Sequence, residues 1–406
     1  MELFLLEHKK LWRRRSTKIS VLLCFIYIVI IGSVLSFQWF IFGSWSSDEY
    51  ISAFGNNFDG YEMIRNEQDY SLTFGGELTD ESLQQLVRDY QEIGAAGIDR
   101  ELQKTDRYIV NGWLNALYPE LQNGEIYYKT MMSYVAPENL IDFYERRQNV
   151  IEDFLENNGQ TGTEKDYLLQ LNSQVKEPFR YEWTEGWSNI LGSMVPELNV
   201  VMALFLAIVL SVLFAGEWHD NTSSLILTAK NGWRKIALAK VLTGLVFTVE
   251  LFAMSAAGQI AAQLFFLGNT GWDMPIQLIK LIAIAPMNML QAEIYEYAFI
   301  LLGGVGYAGI VMLISAAVKS NVPALILSLA VVYVPWMIDQ YLPFGLQKVL
   351  DFIPLVGNGT DIFRTNTFHI FGKYVWSPYL LIAVPVLIGI VCMPFAVKKW
   401  SRRIKV

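Results

Sequence analysis

The chain has 406 residues, 53% of them hydrophobic and only 17% charged, with a mean hydropathy of +0.31; this is too apolar for a soluble protein of its size and reads as a polytopic membrane protein. The net charge of −8 averages two opposite regions. Residues 44 to 195 hold 11 Lys plus Arg against 27 Asp plus Glu, whereas the rest of the chain holds 20 against 12, so an acidic water-soluble insert interrupts a basic-flanked apolar body.

Residues 1 to 18 place Leu3, Phe4, Leu6, Leu11 and Trp12 among basic side chains, the pattern of an amphipathic helix lying in a membrane leaflet. A hydrocarbon core about 30 Å thick needs about 20 apolar residues in helix. The first such run, Ile19 to Phe42, has no small-x-small cleavage site and is expected to be a retained anchor. Residues 44 to 195 follow, long enough to be a domain of mainly helical character. Helices are expected from Asp80 to Ile93, from Pro137 to Glu156 with Pro137 in the first turn, and from Glu164 to Val175; short strands remain open around Tyr70 to Phe74. Trp183 and Trp187 read as an interfacial belt leading into the next span.

Five further runs follow: Leu198 to Ala215, Ile236 to Leu267, Tyr297 to Val318, Val322 to Ile338 and Pro378 to Val397. Lys9, Lys10, Arg13, Arg14, Arg15 and Lys18 precede the first of the six spans, and Lys398, Lys399, Arg402, Arg403 and Lys405 follow the last. Both termini are therefore expected in the cytoplasm of a cell with the chain in its plasma membrane, and residues 44 to 195 outside. The loops at 268 to 296 and 339 to 377 are expected outside as well. Cys24 and Cys392 both fall in apolar runs, so the insert has no disulfide framework.

There is no G-x-x-x-x-G-K-[ST] phosphate loop and no H-E-x-x-H, and the three histidines His8, His219 and His369 are scattered. Glu250 stands deep in the third span, where a carboxylate must be paired, protonated or wetted. Two readings of it stay open: part of a translocation path, together with Gln259 and Gln263 further along the helix, or a hydrogen bond to a neighbouring helix. Gly303, Gly304, Gly306 and Gly309 in the fourth span are better explained by close helix packing.

The segment between the second and third spans carries the most specific pattern. Glu217 closes one span, Asn221-Thr222 and the apolar Leu225 to Leu227 follow, then Gly232-Trp233-Arg234, and Lys240 opens the next span. In this placement the segment resembles that of the ABC-2 permease family, the membrane subunits of bacterial ATP-binding cassette exporters. The six spans, the inward termini and the basic N-terminal helix extend the resemblance, and the large insert between spans one and two is similar to that of a subset of bacterial members.

The resemblance implies an all-α fold with six transmembrane helices, a cytoplasmic coupling helix at 217 to 235, and short re-entrant helices at 341 to 377. It further implies docking of a separate ATPase through Glu217, Asn221, Thr222, Leu225, Leu227, Gly232, Arg234 and Lys240. Two ATPase copies would bind the ATP and Mg2+, and this chain no cofactor. A second permease, identical or homologous, and membrane lipid complete the expected partners; nucleic acid is not among them. The expected reaction is export of an amphiphilic substrate such as an antimicrobial peptide, a lantibiotic or a lipid-like compound. Two alternatives remain: a membrane-anchored sensor or immunity protein whose outer domain binds peptides, and a membrane enzyme using Glu293 and Glu296.

Overall fold

The computed structural model describes residues 2–31, 65, 68, 75–95, 105–122, 131–220, 232–357 and 359–403. Helix dominates. Five helices among the described residues are long and apolar enough to cross a membrane, as in a multi-pass membrane protein: Leu198–His219, Trp233–Leu267, Met289–Ala317, Asn321–Tyr341 and Ser377–Ser401. The first expected span is described only in part, and its residues 32 to 42 lie outside the described residues, as does the possible strand at Tyr70 to Phe74.

The N-terminal helix α1 (Glu2–Arg13) turns at Arg14 into α2 (Arg15–Ile26), which continues through a π-helical turn to Ile31. Leu11 of α1 is buried while Leu5 and Leu6 face outward, so one side packs on protein and the other presents leucines to the surroundings. The insert contains β1 (Gly76–Glu77), α3 (Asp80–Ala95), α4 (Thr105–Leu117), α5 (Phe143–Asn157), α6 (Thr163–Asn172) and β2 (Arg180–Tyr181), with β1 and β2 pairing antiparallel. The helix expected from Pro137 is corrected: a 3-10 turn covers Pro137–Asn139, and α5 starts afresh after Asp142, whose φ is 60°. The restart has a tertiary cause, because Asp80 accepts from the Asp142 and Phe143 amides at 2.8 and 3.1 Å and so caps α5 from another helix.

After α7 (Glu185–Asn189) the chain enters α8 (Val195–Leu210) and α9 (Val212–His219). The break between them at Ser211 is filled by Ser315, whose hydroxyl donates to the Ser211 carbonyl at 2.6 Å and accepts from the Phe214 and Ala215 amides. Next come α10 (Gly232–Leu267), α11 (Met289–Ala317), α12 (Asn321–Ile338), α13 (Phe344–Leu350) and α14 (Ser377–Arg403). α11 begins two turns earlier than expected, at a capping box between Asn288 and Gln291, so Glu293 and Glu296 lie within the helix and not beyond its end. The basic tail expected as separate from residue 398 instead continues α14 to Arg403.

The region 341 to 377 forms one short helix, α13, together with 3-10 turns and the hairpin β3 (Thr367–Ile370) with β4 (Lys373–Trp376). α11 and α14 pack closely, and Gly309 meets Gly389: a Cβ on Gly309 would sit 2.8 Å from the Gly389 Cα. The small residues of this helix serve packing.

Two apolar cores result. One lies among the spanning helices and includes Leu11, Leu206, Phe247, Ile300 and Trp400. The other joins the insert helices, through Leu83, Leu114, Phe143 and Leu155, to Met274, Ile276, Leu281 and Ile284 of the loop after α10. That loop is a working part of the insert's core and not a free connection.

Candidate functional site

The end of the molecule that carries α1 is held by an ion-pair cluster. Lys240, near the start of α10, is 1% exposed, and Glu217, near the end of α9, is 3% exposed. The Lys240 ammonium donates to Glu217 Oε1 and to Glu7 Oε2, each at 2.8 Å, and Lys10 donates to the same Glu217 oxygen at 2.6 Å. Two acids and two lysines from α1, α9 and α10 thus neutralise each other around the buried Glu217–Lys240 pair, with Lys10 reaching in from the surface. Glu217 and Lys240 were expected to offer charge to a partner. The structure corrects their orientation: both face inward, each buried against the other, with Glu7 and Lys10 of α1 completing the cluster. Arg234 and Lys235 are the exposed charges of the first turns of α10, and the Arg234 guanidinium lies 5.8 Å from the Trp233 ring centroid. Gly232 begins α10, whereas Asn221, Thr222, Leu225 and Leu227 lie outside the described residues.

Glu250 belongs to the same assembly. It accepts from the Trp12 indole at 3.0 Å and pairs with His8 at 3.2 Å, while Trp12 packs edge-on against Phe247. Of the two readings of Glu250, the bond to a neighbouring helix is the one found, and that helix is α1. Sequence reasoning had no access to this contact, since its partners lie 238 residues apart.

Gln259 and Gln263 are fully interior. Gln259 accepts from the Tyr297 hydroxyl at 2.8 Å, joining α10 to α11, and Gln263 is 0% exposed. Glu293 and Glu296 are sealed from solvent, at 2% and 0% exposure, and have no base or nucleophile bonded to them among the described residues. Trp183 and Trp187 are buried as well. Their indoles donate to the Leu267 and Asn269 carbonyls at 2.9 and 3.3 Å, closing the C-terminal end of α10, so they cap a helix where the sequence suggests an interfacial belt.

At the insert end a cavity of about 420 Å³ opens between α8, α12 and the segment after α13. Trp336 and Tyr333 supply aromatic faces, Lys348 and Arg364 positive charge, and Asp339 and Asp351 negative charge. Asn199 forms part of the floor by donating to the Leu355 and Gly357 carbonyls, both at 3.1 Å. The lining thus combines aromatic faces with side-chain charges of both signs.

Burial pushes the Asp351 carboxyl up to about 6 from 3.8, with Asp361 adding to the rise, Arg364 opposing it and Asp339 adding further. Between about pH 4 and 6 the unfolded chain sheds this proton while the folded chain keeps it, so this group makes stability fall as pH rises through that window and level off above it. Asp351→Asn is expected to remove that part of the slope, seen as a smaller difference in unfolding midpoint between pH 4 and pH 7 than in the parent. Parallel midpoint curves would refute the assignment.

Compared with protein-family models, with curated proteins and with solved structures, the chain matches none.

Proposed function

We propose that this chain is the membrane subunit of an ATP-binding cassette exporter of the ABC-2 permease class. It pairs with a second permease and with two separate ATPase subunits, and it moves an amphiphilic compound such as an antimicrobial peptide, a lantibiotic or a lipid-like molecule. The observation that carries this reading is the buried Glu217–Lys240 pair. It ties the two helices that flank the 221–231 segment into one body, with α1 latched on through Glu7 and Lys10. A push on that segment from an ATPase is then delivered to α9 and α10 together, and Arg234 and Lys235 stand exposed beside it as charges for such a partner. The cavity between α8 and α12 offers an apolar and dipolar lining suited to the proposed cargo. In the same reading six helices cross the plasma membrane, both termini are cytoplasmic and the acidic insert is outside, as the distribution of Lys and Arg favours.

Affinity-tagged chain purified from its native membranes is expected to carry an ATPase subunit, one for each permease chain in the complex. Arg234→Glu, a surface reversal, should weaken that association roughly tenfold or more without loss of the folded chain. Full export by the purified chain in vesicles without any ATPase would sink the proposal.

A further inference from the structure

At the insert end of the helical body, α10 and α11 enclose a polar cluster to which the proposed export function gives no role. Glu293 and Glu296 stand three residues apart on one face of α11, and all four of their carboxyl oxygens lack a hydrogen-bond partner among the described residues. The position of α10 opposite them is fixed by the Tyr297 to Gln259 bond. One turn toward the insert on each of these antiparallel helices leads from Gln259 to Gln263 and from Tyr297 to Glu293, a shift of about 6 Å in the same direction on both. Gln263 therefore lies level with the two acids along the helix axes. It is 0% exposed, and both its amide oxygen and its amide nitrogen lack a partner among the described residues.

Carboxyl groups withdrawn from water are costly unless they are protonated, paired or coordinate a cation. The ion-paired Lys240 stands toward the opposite end of α10, and Lys10 is on α1 beside it. Two carboxylates are cancelled by one divalent ion, whereas an alkali ion would leave a net charge in the interior. With the Gln263 amide oxygen the cluster presents five uncommitted oxygen atoms. Such a hard, irregular oxygen set suits Ca2+, which takes 6–8 oxygens in adaptable geometry, better than Mg2+, which demands a near-ideal octahedron. We propose that Glu293, Glu296 and Gln263 form a binding site for a divalent cation of the calcium type, which fastens α10 to α11 beneath the insert.

The test uses the full chain in nanodiscs, stripped with a chelator near neutral pH and titrated with CaCl2, with MgCl2 and NaCl in parallel at matched ionic strength. Expected are one calcium bound per chain and a saturable rise of a few degrees in unfolding midpoint when calcium reaches about 100 times its dissociation constant. Affinity for Mg2+ should be at least about tenfold weaker, and NaCl should give no such rise. Glu296→Gln, Glu293→Gln and Gln263→Leu should each lower calcium affinity by about tenfold or more, as loss of a ligand group does. Should the glutamate variants fail to fold, Gln263→Leu and direct calcium binding to the parent decide the matter. No calcium effect, an equal effect of NaCl, or unchanged affinity in the variants would overturn the site and leave the two acids as simply buried groups. No ATPase and no transport is measured, so the outcome is separate from that of the export reading.

Discussion

Replacing Arg147 with Met is expected to cost about 3–5 kcal/mol and to release the loop after α10 from the insert. Arg147 is 1% exposed and is the main polar link between the two. Its Nε donates to the Leu281 carbonyl and its Nη2 to the Ala283 carbonyl, both at 2.9 Å; Nη2 also reaches Asn172 at 3.0 Å, and Nη1 reaches Glu177 at 3.3 Å. The guanidinium lies 5.3 Å from the Phe179 ring centroid. Burial lowers its pKa to about 10, with Glu177 opposing, so the cation persists at neutral pH.

Methionine fills much of the volume but leaves the Leu281 carbonyl without this donor, at about 1–3 kcal/mol for an unsatisfied buried group. The Ala283 carbonyl keeps the Gln277 amide at 3.0 Å and suffers less. Arg147→Lys should recover less than half of the loss, because one ammonium cannot reproduce a planar fork that meets two carbonyls and an amide. Hydrogen exchange provides the specific readout. Amides from Lys280 to Ala285 should lose protection in Arg147→Met, followed by those of α5, since Leu281 and Ile284 share the insert's apolar core. Unchanged protection across 280 to 285 would show that apolar contact alone holds the loop.

The spanning helices were legible because long apolar runs admit few other structures, and the helices at Asp80–Ala95 and Thr163–Asn172 because their apolar spacing and first-turn acids agree. What escaped sequence reading depends on contacts far apart in the chain. Glu217 and Lys240 are legible in the sequence as charges beside two apolar runs, but a sequence gives their charge and not the direction they face. Their other partners, Lys10 and Glu7, are 207 and 233 residues away. The loop after α10 did carry a signal: Met274, Ile276, Leu278, Leu281 and Ile284 are more apolar than a solvated connection needs. The apolar run of the fourth span reads from Tyr297, which leaves Glu293 and Glu296 at its outer end. The Asn288-x-x-Gln291 capping pair was the available sign that the helix begins before them.

Lys240→Met is expected to free α1 from the helical body, because the lysine is the shared partner of Glu7 on α1 and Glu217 on α9. Removing one member of a buried charge cluster costs about 3–5 kcal/mol, since the remaining charges keep their desolvation and lose their compensation. Here Glu217 loses its buried counter-ion and keeps Lys10, whose side chain is 46% exposed, and Glu7 loses the partner that brings it against α10. Trp12 reports the release directly. It now packs on Phe247 and donates to Glu250, so detachment of α1 should shift its emission to the red and expose it to aqueous quenchers, measured in a chain whose other tryptophans are replaced where tolerated.

The double change Glu217→Gln with Lys240→Met should be less damaging than Lys240→Met alone, because no uncompensated carboxylate remains at the centre of the cluster. That partial recovery separates structure from function. In the double variant α9 and α10 stay packed through their apolar faces but lose the rigid ionic tie between their ends. If the pair transmits work, ATP hydrolysis in the assembled exporter should continue while export falls by about tenfold or more, a loss of about 1.4 kcal/mol or more in coupling. Equal loss of hydrolysis and export would instead assign the pair to assembly, and full export in the double variant would show that α9 and α10 move together without it.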